Sequence, residues 1–391
     1  MPPTIDLDDL GLDNGGHLLL SRALATAPAG AALEVVGTHP ELAVHLAAWC
    51  RSRGHHLDRH SGRLVVHRGS TVDDRWSGAV RAGEAARPAA HADRRWGLAA
   101  RGALVEAGGP PLSVDWVDRD LVWADVAPTL YANATANQWN PDTVVDWSTG
   151  VDIPGDIEDA VVQIMTYLVE NEQAALVIPA RLLSRMHPHF REVAQLLAAQ
   201  VADEARHMEI FTRRGLLNRD TLGVSGAGGR ASLQTLVGER DFTMASFLLS
   251  VMGEGTFLDL LRFLNEQAPD PITAEITRLA GRDEARHVAF GVAHTAHVAR
   301  TDRSFLNRLR GAVERRHAVL ADTAGLNQDV FDSLVLLAAG SWEPAAISRG
   351  WQAVQQLKRS MDEGRRRRLA FIGFPDDEAA EISALHTRNF M

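Results

Sequence analysis

The sequence predicts a mainly α-helical protein: a four-helix bundle with added helices, preceded by a small α+β domain. Three observations predict it. From about Asp156 onward apolar residues recur at helical spacing over segments too long for strands. The first seventy or so residues instead alternate short β-branched runs with short helical ones. The breaks between the long segments carry proline or glycine, the residues that stop helices for identifiable steric reasons. With 391 residues the chain is long enough for two or three domains and a sizeable buried core.

Taken in order, Thr4-Ile5-Asp6-Leu7 is an extended start and a helical run follows from about Gly16 to Thr26. Ala32-Leu33-Glu34-Val35-Val36 is a strand, a helix runs from about Pro40 to Arg53, and Arg63-Leu64-Val65-Val66-His67 is a final strand. These form a domain over 1–70. Residues 71–155 have weaker periodicity, the turn signal Gly108-Gly109-Pro110-Pro111 and most of the tryptophans, and are expected to be a connecting region with short helices. The bundle occupies 156–300, with helices at roughly 157–185, 188–215, 231–267 and 272–299. His187-Pro188, the loop from Gly223 to Gly229, and Pro269-Asp270-Pro271 separate them. Helices at roughly 304–321 and 344–369, within 301–391, are expected to pack on the bundle.

Composition narrows the function. The formal charge of -10 argues against general nucleic-acid binding, and Arg365-Arg366-Arg367-Arg368 reads as a solvated helix face. The single cysteine, Cys50, leaves no intrachain disulfide and no cysteine-based metal site, so any metal must be held by nitrogen and oxygen. No stretch is expected to reach the roughly 18 apolar residues of a membrane span, no targeting segment is evident, and a cytoplasmic location is the default.

The string Asp-Glu-Ala-Arg-His occurs twice, at Asp203 to His207 and Asp283 to His287. Within each copy, glutamate and histidine are three apart, so both project from one helix face and can share a cation. Two such pairs, plus one glutamate from each of two further helices, make the carboxylate arrangement with which bundles hold two iron or manganese ions. On the third helix Glu254 sits in the middle of an apolar stripe of Phe247, Val251, Leu258 and Leu261. On the first helix Glu170 and Glu172 compete, and Glu172 is preferred because Met165, Leu168, Val169 and Leu176 share its register.

The candidate metal ligands are therefore Glu172, Glu204, His207, Glu254, Glu284 and His287. The spacing repeats, 204 − 172 = 32 against 284 − 254 = 30 positions, as though a helix hairpin had been duplicated. Four carboxylates with two neutral imidazoles would balance two divalent cations, and without metal they would be costly to bury. Asp203 and Asp283 are expected to accept the second ring proton of the ligating histidines, with Arg206 and Arg286 balancing charge beside them. His294 reads as a satisfied polar group rather than a third histidine ligand. Trp123, Trp139 and Trp147 are candidates for the mouth of the bundle, a position that packing explains equally well.

At these residues the chain resembles the ferritin-like di-iron carboxylate superfamily, and within it the oxygen-activating members with a glutamate followed by a downstream D-E-x-R-H. The resemblance covers about residues 157–299. It implies two iron ions, with a manganese–iron pair as the alternative, and dioxygen as co-substrate. It also implies a small organic or carrier-bound substrate and electrons from a ferredoxin or reductase, since the chain shows no flavin or nicotinamide fingerprint of its own. A homodimer is compatible with it. Phe211 stands where radical-storing relatives keep a tyrosine, and Ala280 where arylamine N-oxygenases carry a further histidine. The leading expectation is a monooxygenase; an N-oxygenase or desaturase, or a non-catalytic ferroxidase, are the alternatives.

The N-terminal unit resembles the small TusA-like sulfur-carrier domains through Asp9-Leu10-Gly11-Leu12, Leu33-Glu34-Val35-Val36 and Trp49-Cys50-Arg51-Ser52-Arg53-Gly54-His55. Those domains place a reactive cysteine at the start of the first helix, where this chain has Asn14-Gly15-Gly16-His17. Persulfide transfer has therefore lost its nucleophile. Cys50 reads as a packing residue and the unit as a docking or substrate-covering module. A role in modifying thiolated nucleic acid, suggested only by this resemblance, is disfavoured by the acidic balance.

Overall fold

Apolar residues on one face of two helices and on the inward face of a sheet make the first core. The computed structural model describes residues 2–71, 76–320 and 328–387 and divides into two units, Met1–Ala86 with Arg95–Pro111, and Arg87–Arg94 with Leu112–Met391. In the first unit, strands β1 (Thr4–Asp6), β2 (Ala32–Val36), β3 (His56–His60) and β4 (Arg63–His67) form one sheet in the order β1-β2-β4-β3. β1 runs parallel to β2, and the other pairs are antiparallel. Helices α1 (Gly16–Ala25) and α2 (Leu42–Arg53) supply Leu20, Leu24, Leu46 and Cys50 to a core shared with Leu33, Val35 and Val66. Strand β3 is absent from the sequence expectation because His-Leu-Asp-Arg-His has one apolar residue. What makes it a strand is the hairpin turn, in which Ser61 (φ 51°) and Gly62 (φ 81°) both adopt the left-handed conformation of tight two-residue loops. A separate two-stranded antiparallel sheet pairs β5 (Val80–Arg81) with β6 (Leu104–Val105).

The second unit is helical. α3 (Ala127–Ala136) precedes the long pair α4 (Gly155–Ser184) and α5 (Arg191–Gly215), which pack extensively on each other. Then come α6 (Ala227–Val237), α7 (Phe242–Glu266), α8 (Pro271–Thr301), α9 (Phe305–Leu320), α10 (Gln328–Ala339), α11 (Pro344–Ile372) and α12 (Asp376–Thr387). The starts follow local chemistry. Asp270 caps α8 through the Thr273 amide (2.8 Å) with Pro271 in its first turn, and Asp241 caps α7 through Met244 (2.9 Å).

Four expectations need correction. The single helix at 231–267 is two, because the chain breaks between Val237 and Phe242, where Asp241 offers a better helix start than continuation does. The glycine loop ends early, since α6 begins at Ala227. The arginine run is not one solvated face. Arg365 is buried and donates to Thr256 and Ser383 (3.1 Å each), and Arg368 donates to the Val251 carbonyl (3.0 Å), leaving Arg366 and Arg367 exposed. Finally, α7 is long and apolar enough, by length and composition, to cross a membrane; 89% of that window is buried inside the molecule, which is the setting of a core helix. Ala321, at the end of the helix expected over 304–321, lies outside the described residues.

Candidate metal centre

Each of α4, α5, α7 and α8 turns carboxylates into one buried cluster. On α4, Glu172 shares its inward face with Met165, Leu168 and Val169, and it is 1% exposed. Glu170, two positions earlier and therefore on roughly the opposite side of the helix, is half-buried and stands outside the cluster. On α5, Glu204 and His207 are fully buried, and so are Glu284 and His287 on α8. Glu254 ends a π-helical stretch of α7, Phe247–Glu254. Such widened turns cluster at functional sites because the extra residue re-aims side chains. Gly291 of α8 lets that stretch come close, since a Cβ there would lie 2.4 Å from the Cβ of Ser250.

Ligand atoms converge in two overlapping groups. Glu172, Glu204, His207 and Glu284 each offer an atom within 4.8 Å of the others, and so do Glu204, Glu254, Glu284 and His287. All six predicted ligand residues are thus brought together. His207 Nδ1 lies 3.2 Å from Glu204, 3.3 Å from Glu284 and 3.5 Å from Glu172. His287 Nδ1 lies 3.1 Å from Glu204 and 3.3 Å from Glu284. Glu204 and Glu284 therefore face both histidines, whereas Glu172 belongs to the His207 side and Glu254 to the His287 side.

The outer carboxylates pair crosswise. His287 Nε2 meets Asp203 at 3.1 Å, from the other copy of the repeat, and His207 Nε2 lies 3.5 Å from Asp283. Arg286 donates to both aspartates, at 3.0 and 2.8 Å, and Arg206 also reaches both. Trp139 donates its indole N–H to Asp283 (2.7 Å) and stacks near His207. Each imidazole thereby has its Nε2 toward an aspartate and its Nδ1 toward the glutamates. His294 is accounted for elsewhere: its Nδ1 donates to the Trp123 carbonyl and its Nε2 accepts from Thr243, both at 2.9 Å.

The electrostatics favour cations. Burial, reinforced by neighbouring carboxylates, raises the Glu172 and Glu254 carboxyls well above the usual range. Burial opposes charge on His207 and His287 as well, but the surrounding glutamates outweigh it and raise both. Protons thus collect wherever metal charge is missing. Two oxygens, Glu172 Oε1 and Glu254 Oε2, are buried with no hydrogen-bond partner among the described residues. A pair of divalent cations satisfies both conditions, and a nitrogen–oxygen donor set suits iron or manganese.

Two partners escaped the sequence reading. Gln200 donates to Glu254 (3.0 Å) and reaches Glu204 (3.4 Å), and Gln138 accepts from Arg206 (2.5 Å). Gln200 stands one turn before Glu204, so a polar residue on the inward face at that spacing was the available signal. Gln138 lies outside the bundle helices and carried none.

The chain matches no protein-family model and no curated protein. Among solved structures, a variant R2-like ligand-binding oxidase with an aerobically reconstituted Fe/Fe cofactor superimposes with a TM-score of 0.50 at 16% identity, covering 63% of this chain and 92% of that one. The fold is ferritin-like. An R2-like ligand-binding oxidase with an aerobically reconstituted Mn/Fe cofactor is a looser match, with a TM-score of 0.44 at 16% identity over 68% of this chain and 92% of that chain. At 16% identity the likeness to the first of these is one of fold alone.

Proposed function

We propose that this protein is a dioxygen-activating oxidoreductase built on two iron ions, or on manganese and iron, and that it acts as a monooxygenase of a small organic or carrier-bound substrate. The observation that carries the reading is the buried convergence of Glu172, Glu204, His207, Glu254, Glu284 and His287 from four helices. Glu172, Glu204, His207 and Glu284 would hold one ion, and Glu204, Glu254, Glu284 and His287 the other. The fold shared with an oxidase of Fe/Fe content supports the metal assignment.

When bound, such a pair supplies redox chemistry toward dioxygen and a template that orients it. The protein's own contribution is positional. Asp203, hydrogen-bonded to His287 Nε2, and Asp283, 3.5 Å from His207 Nε2, orient the two rings so that each Nδ1 turns inward, while apolar walls around the cluster exclude water. Electrons come from an external ferredoxin or reductase, and the setting is cytoplasmic. The first unit serves as a docking or substrate-covering module: Cys50 is 1% exposed and burial pushes its thiol up to about 11, the behaviour of a packing residue.

Metal analysis together with dioxygen uptake tests the proposal. Two metal ions per chain are expected, with uptake by the reduced protein accelerated by apolar organic compounds. An uptake rate indifferent to every organic compound would instead indicate a ferroxidase.

A further inference from the structure

A regular α-helix hands each backbone carbonyl to the amide four residues on, and a widened turn departs from that rule. In α7 the departure lies beside a candidate ligand. The Gly255 amide donates to the Ser250 carbonyl, five residues back, so the Val251 carbonyl that regular winding would give it is passed over. Arg368 of α11 donates to that carbonyl instead, from Nε at 3.0 Å. Val251 is 0% exposed, and a buried carbonyl left without a donor is costly, so the arginine favours the widened turn over the regular one.

The surroundings are shaped to receive the guanidinium. Gly255, the residue after Glu254, makes room for it: a Cβ there would lie 2.5 Å from both Cζ and Nε of Arg368. Gly364, one turn earlier on α11, opens another side, where a Cβ would come 3.1 Å from Arg368 Nη1 and 2.9 Å from Asp259 Oδ2. Nη2 is buried with no hydrogen-bond partner among the described residues, so the contact with Val251 is what the side chain's placement secures. Closing the widened turn would rotate the segments on its two sides by about 100° relative to each other, enough to carry a side chain from one helix face to another.

We propose that Arg368 is a positioning residue for the metal centre: by holding the Val251 carbonyl it keeps α7 widened and Glu254 aimed at the cluster. This rests on the oxidoreductase reading only in taking the cluster as a site for two metals. The effect is confined to one ion. Glu254 belongs to the group with Glu204, Glu284 and His287, whereas the group of Glu172, Glu204, His207 and Glu284 does not include it. Loss of the Arg368 contact therefore weakens the ion beside His287 and spares the ion beside His207.

The test titrates manganese(II) into the full chain stripped of metal, followed by electron paramagnetic resonance, which separates a spin-coupled pair from an isolated ion and needs no turnover. The wild type is expected to take two ions as a coupled pair. In Arg368→Met the first ion is expected to bind as before and the second at least about tenfold more weakly, leaving the spectrum of an isolated ion. Arg368→Lys, which keeps a donor near the carbonyl, is expected to restore most of the pair. Gly255→Ala is expected to copy Arg368→Met, because its methyl group displaces the guanidinium while every donor remains in the chain. Two coupled ions in both Arg368→Met and Gly255→Ala overturn the proposal, and so does an Arg368→Lys no better than Arg368→Met. Should Arg368→Met lose both ions, Gly255→Ala decides: selective loss of one ion supports the assignment, and loss of both marks a general packing role and overturns it. A wild type that binds no manganese sinks the two-metal reading and this assignment with it, whereas two ions in the wild type and in both variants sink the assignment alone.

Discussion

A neutral histidine offers a cation one ring nitrogen, and an acceptor for the proton on the other fixes which nitrogen that is. Here the facing aspartate comes from the opposite copy of the repeat: Asp203 meets His287 Nε2 at 3.1 Å, and Asp283 lies 3.5 Å from His207 Nε2. The crosswise pairing makes the two halves depend on each other. Replacing Asp283 by asparagine keeps the shape but removes the charge beside His207, and metal affinity is expected to fall about 10–100-fold. Competition with a chromophoric chelator measures it; unchanged affinity would remove the aspartate from the site's machinery. Glu204→Ala and His287→Ala are expected to abolish stoichiometric metal, whereas Glu170→Ala leaves it largely intact. Loss in Glu170→Ala with none in Glu172→Ala would reverse the choice on α4. The sequence alone made Glu172 legible because its apolar neighbours share its register, but it held no trace of Gln138, whose role depends on where a loop residue lands.

Among the elements, the bundle is fastened near one end by charge. Arg214 of α5 donates to Glu158 of α4 (2.7 Å) and to Asp270 (2.8 Å), the cap of α8, and Thr273 completes the network at 2.8 Å. Arg214 is 0% exposed, so removing its charge strands two buried carboxylates. Arg214→Met is expected to destabilise the protein by about 3–5 kcal/mol, read as a lower denaturant midpoint. A change below about 1 kcal/mol would show that water reaches the carboxylates. The long helices were readable because their apolar periodicity runs for many turns. The break before α7 and strand β3 were not: the first turns on one capping side chain, Asp241, and the second on a hairpin turn that pairs a polar segment with Arg63–His67.

For the molecule as a whole, the proposed metals link α4, α5, α7 and α8 through one centre, so their loss should be felt globally. A ligand at 100 times its dissociation constant adds about 2.7 kcal/mol to folding stability, and chelation is expected to lower Tm accordingly. Acid acts in the same direction. The Glu172 and Glu254 carboxyls are raised, so protons compete with cations there as pH falls, and loading is expected to weaken with falling pH and to release protons when metal is added at constant pH. Calorimetry in buffers of different ionisation enthalpy reads the proton count. A Tm insensitive to chelator would show that the bundle stands without its centre.

By itself the sequence determined the helical class, the six converging residues and their duplicated spacing. Those depend on helical periodicity, a local rule that maps positions three or four apart onto one face. Only the tertiary structure decided which aspartate faces which histidine, that α7 widens before Glu254, and that Arg365 turns inward to Thr256 and Ser383. These are relations between residues far apart in the chain, set by how packed helices meet, and no local pattern encodes them.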